Sequence, residues 1–112
     1  MNVKLQPVRD YLLKIRDTFL EEKIELESEI SSDKMLLQEN MRFLAILEGS
    51  LDASFEAFSP RTLNQYQKDK VSELKMEQKD LIQAIEDHDS DIASVEQKIT
   101  EIDKVISILS EV

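Results

Sequence analysis

The sequence predicts an all-α fold: a long antiparallel two-helix coiled-coil hairpin that dimerises into a four-helix bundle. Three observations predict it. The 112 residues include one Gly and two Pro, fewer than the turns of a sheet require. Apolar residues recur in heptads through the second half of the chain. The dipeptide Ser59-Pro60 lies where the two halves would fold back on each other.

The heptads define the second helix. Between Val71 and Leu109 the core positions alternate three and four residues apart, and ten of these twelve positions are aliphatic. A repeat sustained over this length is typical of a coiled coil. The two exceptions are Gln78 at an a site and His88 at a d site.

The bend and the first helix follow from different signals. Ser59 is a good N-cap, and Pro60 suits the first helical position, where its missing N–H costs nothing. We therefore predict one hairpin over residues 1–112, with helix 1 from about 7 to 57, a bend at 57–60, and helix 2 from about 60 to 111. Helix 1 has a less regular stripe, with a four-residue stutter between Phe19 and Ile30.

Pairing the aliphatic positions predicts that opposed residue numbers sum to about 118. Gln78 then lies opposite Asn40, and we expect these two to form a polar core layer that fixes the register. Three layers match poorly, because Ile85 would oppose Asp33, Val95 would oppose Lys23, and Ile102 would oppose Arg16. We expect the stutter to shift the register there.

His88 is the only histidine, and this register places it opposite Ile30, one turn from Asp33. A core polar pair of His88 and Asp33 has a functional interpretation as a pH switch. In the structural interpretation, the imidazole packs in the seam and is hydrogen-bonded to Asp33 or water. This interpretation is the more common one for a polar core residue.

The apolar face is wider than the a and d positions alone. Additional apolar residues flank the seam on both helices: Ile82, Ala84 and Val105 on the second, and Ile24, Leu36, Met41 and Ile46 on the first. Such width predicts a second interface. A homodimer that forms a four-helix bundle would provide it, so the expected partner is the chain itself.

Five apolar residues surround the bend and form a predicted tip: Leu51, Phe55, Phe58, Leu63 and Tyr66. One interpretation is that they close the end of the bundle. The alternative is an adaptor or chaperone that binds a client protein through this apolar tip.

The composition argues against several classes of function. A net charge of −10 would repel a phosphate backbone, so we expect no nucleic-acid partner. The longest apolar run, FLAIL at 43–47, is too short to cross a membrane, and we expect a cytoplasmic protein. One His, no Cys and one Gly indicate no enzyme, no cofactor and no metal site. A cation-responsive acidic bundle is a weaker hypothesis.

The bend region also resembles a known family. Phe55-x-x-Phe58-Ser59, followed by Leu63 and Tyr66 and a long heptad helix, is similar to the N-terminal coiled-coil segment of cytosolic sensor histidine kinases of Gram-positive bacteria, the DegS type and its clostridial relatives. FSPRTLN at 58–64 is similar to a turn in such input domains. These residues contain no phosphoacceptor box and no ATP lid. The resemblance therefore implies a dimeric input module that relays signals through coiled-coil packing.

Overall fold

The computed structural model describes residues 3–52 and 61–111, and within these ranges every residue is helical. A 3-10 turn at Val3–Leu5 leads into helix α1, Gln6–Asp52, and helix α2 spans Arg61–Glu111. No strand occurs in the described ranges. The predicted all-α fold is confirmed.

The helix limits follow local chemistry. Pro7 is the second residue of α1, within the first turn, where its missing N–H needs no partner. Gly49 lies inside α1 and does not end it, although glycine costs about 1 kcal/mol in a helix interior. Helix α2 begins directly after the Ser-Pro dipeptide. The predicted bend, and the part of helix 1 predicted beyond Asp52, lie outside the described residues.

The chain divides into two units, each built from one segment of α1 and one of α2. The first unit contains α1 up to Ile30 and α2 from Asp87 onward. Arg16 pairs with Asp103 at 2.6 Å, and Lys23 pairs with Glu96 at 3.3 Å. In both pairs the residue numbers sum to 119, so the segments run antiparallel close to the predicted register.

The second unit contains α1 from Ser31 and α2 up to Glu86. The side chain of Asn40 bonds to the main chain of Leu74, and Lys75 pairs with Glu48 at 3.3 Å. The residue numbers of these two contacts sum to 114 and 123, so the predicted sum of about 118 lies between them. The predicted two-helix hairpin is confirmed, and the ion pairs of the first unit show its antiparallel direction.

The poorly matched layers of the first unit have a physical explanation, and its two ion pairs lie within about one residue of the predicted register, so they give no sign of the expected shift. In the predicted register Lys23 lies opposite Val95, and Val95 is only 3% exposed. The ammonium of Lys23 reaches Glu96, the residue after Val95. Long basic side chains can cover apolar neighbours with their stems while the charge stays at the edge. Arg16 likewise pairs with Asp103, the residue after Ile102, and Ile102 is half-buried.

Candidate functional site

The core of the hairpin is narrow. The buried apolar residues described are Ile30, Val95 and Ile99 in the first unit and Leu74 in the second. Many large apolar side chains remain exposed on both helices: Val8, Tyr11, Ile24, Met35, Leu36, Met41, Phe43, Ile46, Met76, Ile82, Val105 and Ile108. Exposed apolar groups that form a contiguous patch, rather than scattered residues, indicate an interaction surface.

Four of these residues lie on one face of α1 in the second unit. Met35, Leu36, Phe43 and Ile46, which we call the α1 stripe, are between 44% and 65% exposed. At 100° per residue they lie within about 100° of the helix circumference, the width typical of a helix face that packs against a partner. The α1 stripe borders the seam on one side, since Asn40 and Leu44 face α2.

A groove runs beside the α1 stripe. Its volume is about 300 Å³, and it is lined by Leu36, Glu39, Asn40 and Phe43 from α1 and by Leu74 and Glu77 from α2. Three of these six residues are apolar and three are polar or charged, so the groove presents both kinds of group to a partner. The groove belongs entirely to the second unit.

Asn40 is a buried polar residue in this lining, at 6% exposure. Its Nδ2 donates a hydrogen bond to the main-chain oxygen of Leu74 at 3.1 Å. Its Oδ1 is buried and has no hydrogen-bond donor among the residues that the structure describes. A buried polar atom left without a partner costs about 1–3 kcal/mol.

The predicted polar layer paired Asn40 with Gln78. Gln78 is half-buried, so the structure keeps both residues near the seam. The hydrogen bond shown for Asn40, however, goes to the main chain of Leu74, one turn before Gln78. A main-chain oxygen has two lone pairs, so Leu74 can accept this bond together with its own helical one.

His88 belongs to the first unit and is half-buried. Its Nε2 lies 3.4 Å from Oε2 of Glu29. This contact is an ion pair only when the imidazole is protonated. Asp33, the partner expected from the sequence, is half-buried and belongs to the second unit, and its pairing with His88 stays a prediction.

Most of the predicted tip cannot be placed. Phe55 and Phe58 lie outside the described residues, and Leu51 and Leu63 are described only as positions within α1 and α2. The side chain of Tyr66 is described and is exposed.

The sequence analysis did not predict the positions of three residues in the second unit, Gln67, Met35 and Phe43. Gln67 is buried, and extending the heptads one repeat back from Leu74 would have found it at a d site. Met35 and Phe43 belong to the α1 stripe but were not recognised as flanking residues. The seven-residue spacing of Leu36 and Phe43 was the available signal.

The first unit has a smaller hollow of its own. It measures about 240 Å³ and is lined by Leu12, Phe19, Lys98, Glu101, Ile102 and Val105. The ammonium of Lys98 lies 5.4 Å from the centre of the Phe19 ring, within the range of a cation–π contact. Both residues of this contact line the hollow.

In residues 3–52 and 61–111, no group of three or more His, Asp or Glu side chains is arranged to hold a metal ion. In the same ranges, neither helix has a stretch long and apolar enough to span a bilayer.

Comparisons with protein-family models, with curated proteins and with solved structures found no match to this chain.

Proposed function

We propose that this chain is a non-enzymatic self-association module, in which two hairpins pair through exposed apolar faces into a four-helix bundle. The observation that carries the proposal is the α1 stripe, where Met35, Leu36, Phe43 and Ile46 lie on one helix face and are each at least 44% exposed. Removing apolar surface from water is worth roughly 25 cal/mol per Å², which makes such a face a natural association site.

Charge supports a second copy as the partner. The chain carries −10 overall, yet residues 35–46 contain one acid, Glu39, and one base, Arg42. Two copies that meet through this neutral stretch avoid most of the repulsion between their acidic surfaces. A strongly basic partner would find few acidic groups on the α1 stripe itself.

The proposed setting is the cytoplasm of a bacterium, and the proposed role is signal transduction. The resemblance of residues 55–66 to the input segments of sensor histidine kinases supports this role. In such a module the dimer would relay a signal through altered packing between helices.

The test is the mass of the full chain in solution. Sedimentation equilibrium should give a dimer, twice the 13.0 kDa of one chain. A mass of 13.0 kDa at every concentration up to the solubility limit would contradict self-association.

A second candidate function is an adaptor that docks a client protein through the tip. The observation in its favour is the exposed phenol ring of Tyr66 at the start of α2. Changing Phe55→Ala together with Phe58→Ala would then abolish capture of a client while leaving the dimer intact. If the same double variant dissociates the dimer instead, the tip belongs to the self-association surface.

A further inference from the structure

We infer that the groove lined by Leu36, Asn40, Phe43 and Leu74 is the docking site for a second copy of this chain, and that the α1 stripe of that copy fills it. The inference rests on the proposed self-association, and it adds the place and the register. The groove is the natural place because two residues of the α1 stripe, Leu36 and Phe43, line it.

The apolar residues are spaced for a two-fold interface. A two-fold axis makes the same patch contact itself, so residue i meets j and j meets i. If two α1 helices cross antiparallel, Leu36 of one copy meets Phe43 of the other, and the axis passes between residues 39 and 40. The interface then contains the contact between Leu36 and Phe43 twice, once on each side of the axis.

The two charges of the stretch are placed for the same arrangement. The two Glu39 carboxylates meet near the two-fold axis and would repel each other if left alone. In this register Arg42 of the second copy lies within about 3 Å of Glu39 along the helix axis. Its guanidinium can neutralise the carboxylate, and the pair occurs twice.

Asn40 supplies the polar group at the floor of the groove. Its Oδ1 is a buried acceptor with no donor within residues 3–52 and 61–111. In the two-fold register Arg42 of the second copy lies on the edge of the interface that holds Glu39, and Asn40 lies on the other edge, so Arg42 serves Glu39 alone.

The first test compares two double variants of the full chain by sedimentation equilibrium. Leu36→Glu with Phe43→Glu places charges in the groove, while the control, Ile24→Glu with Met76→Glu, adds the same charge at exposed apolar positions elsewhere. Residues 24 and 76 are 66% and 68% exposed. Circular dichroism confirms that both variants remain helical, as expected for substitutions at exposed positions.

We expect the groove variant to weaken dimerisation by roughly 30-fold or more, the effect of removing central anchors, and the control to match the wild type. If the groove variant dimerises as tightly as the wild type, or if both variants weaken dimerisation equally, the groove assignment is wrong. Self-association of the chain would still hold in either case. A monomeric wild type overturns self-association itself. The two failures are therefore distinguishable.

The second test uses the absence of cysteine in the chain. Leu36→Cys mixed with Phe43→Cys should give a disulfide-linked dimer under mild oxidation. Leu36→Cys alone should not, because the two-fold register separates its two thiols by seven residues, about 10 Å, beyond disulfide reach. Efficient cross-linking of Leu36→Cys alone would overturn the register.

Discussion

Asn40 and Leu74 are joined by a hydrogen bond of 3.1 Å from the side-chain amide of one to the main-chain oxygen of the other, across the seam of the second unit. The bond fixes Asn40 beside a backbone group whose position does not depend on a side-chain rotamer. It also turns Oδ1 of Asn40 away from Leu74, into surroundings without a described donor. This one residue links the register of the hairpin to the groove on its surface.

Replacing Asn40 with leucine should raise the free energy of unfolding by about 1 kcal/mol in a single hairpin, because the uncompensated Oδ1 disappears and the seam gains an apolar side chain. Urea denaturation measures this best in the background of Leu36→Glu with Phe43→Glu, which keeps dimerisation out of the comparison. Gln38→Leu, at an exposed position, is the control and should stay within about 0.5 kcal/mol. Destabilisation by Asn40→Leu would mean that the bond to Leu74 outweighs the cost of the buried oxygen.

Because few residues of the hairpin are buried, we expect only a few substitutions to lower its free energy of unfolding strongly. Ile30 is 7% exposed and Ile24, one and a half turns earlier on the same helix, is 66% exposed. Ile30→Ala should lower the free energy of unfolding by about 2–5 kcal/mol through lost burial and a cavity. Ile24→Ala should change it by less than about 0.5 kcal/mol. Thermal and urea unfolding at one protein concentration compare the two variants, and equal losses would show that Ile24 is buried in solution.

The ion pair between Arg16 and Asp103 should contribute little despite its short distance of 2.6 Å. Both side chains are partly exposed, at 34% and 48%, where water and salt screen the attraction. A double-mutant cycle with Arg16→Gln and Asp103→Asn should give a coupling of about 0.2–1 kcal/mol. Raising the salt to about 1 M, where the Debye length is about 3 Å, should reduce it further. A coupling above about 2 kcal/mol that salt does not change would contradict the expectation.

Added salt should strengthen the proposed dimer. Each copy carries a net charge of −10, so association brings like charges together, and screening removes part of that cost. The dissociation constant measured by sedimentation should therefore fall as sodium chloride rises from low to physiological ionic strength. A dissociation constant that rises with salt would indicate that attraction between charges, rather than the apolar α1 stripe, holds the copies together.

Much of the fold could be predicted because the relevant signals are local or periodic. Scarcity of glycine and proline predicted helix, and the heptads of α2 predicted a seam. Aligning the aliphatic residues predicted the register to within about one residue at the contacts of Lys23 and Arg16. Each of these inferences depends only on residue spacing, which a regular helix converts directly into position.

The bonding partners could not be predicted in the same way. Spacing places Asn40 level with Gln78 and His88 close to several acids, but one helical turn offers a polar side chain more than one acceptor. The side-chain conformations place the amide of Asn40 against the Leu74 oxygen and the imidazole of His88 against the Glu29 carboxylate.

The sequence by itself therefore determined the helices, their antiparallel pairing and their register, because backbone geometry repeats with a fixed period. The tertiary structure alone decided that Asn40 is buried with one unsatisfied oxygen, that Gln67 joins the core, and that Leu36 and Phe43 stand beside a groove. These features depend on how two helix surfaces fit together, and that fit is set by side-chain shape rather than by residue spacing.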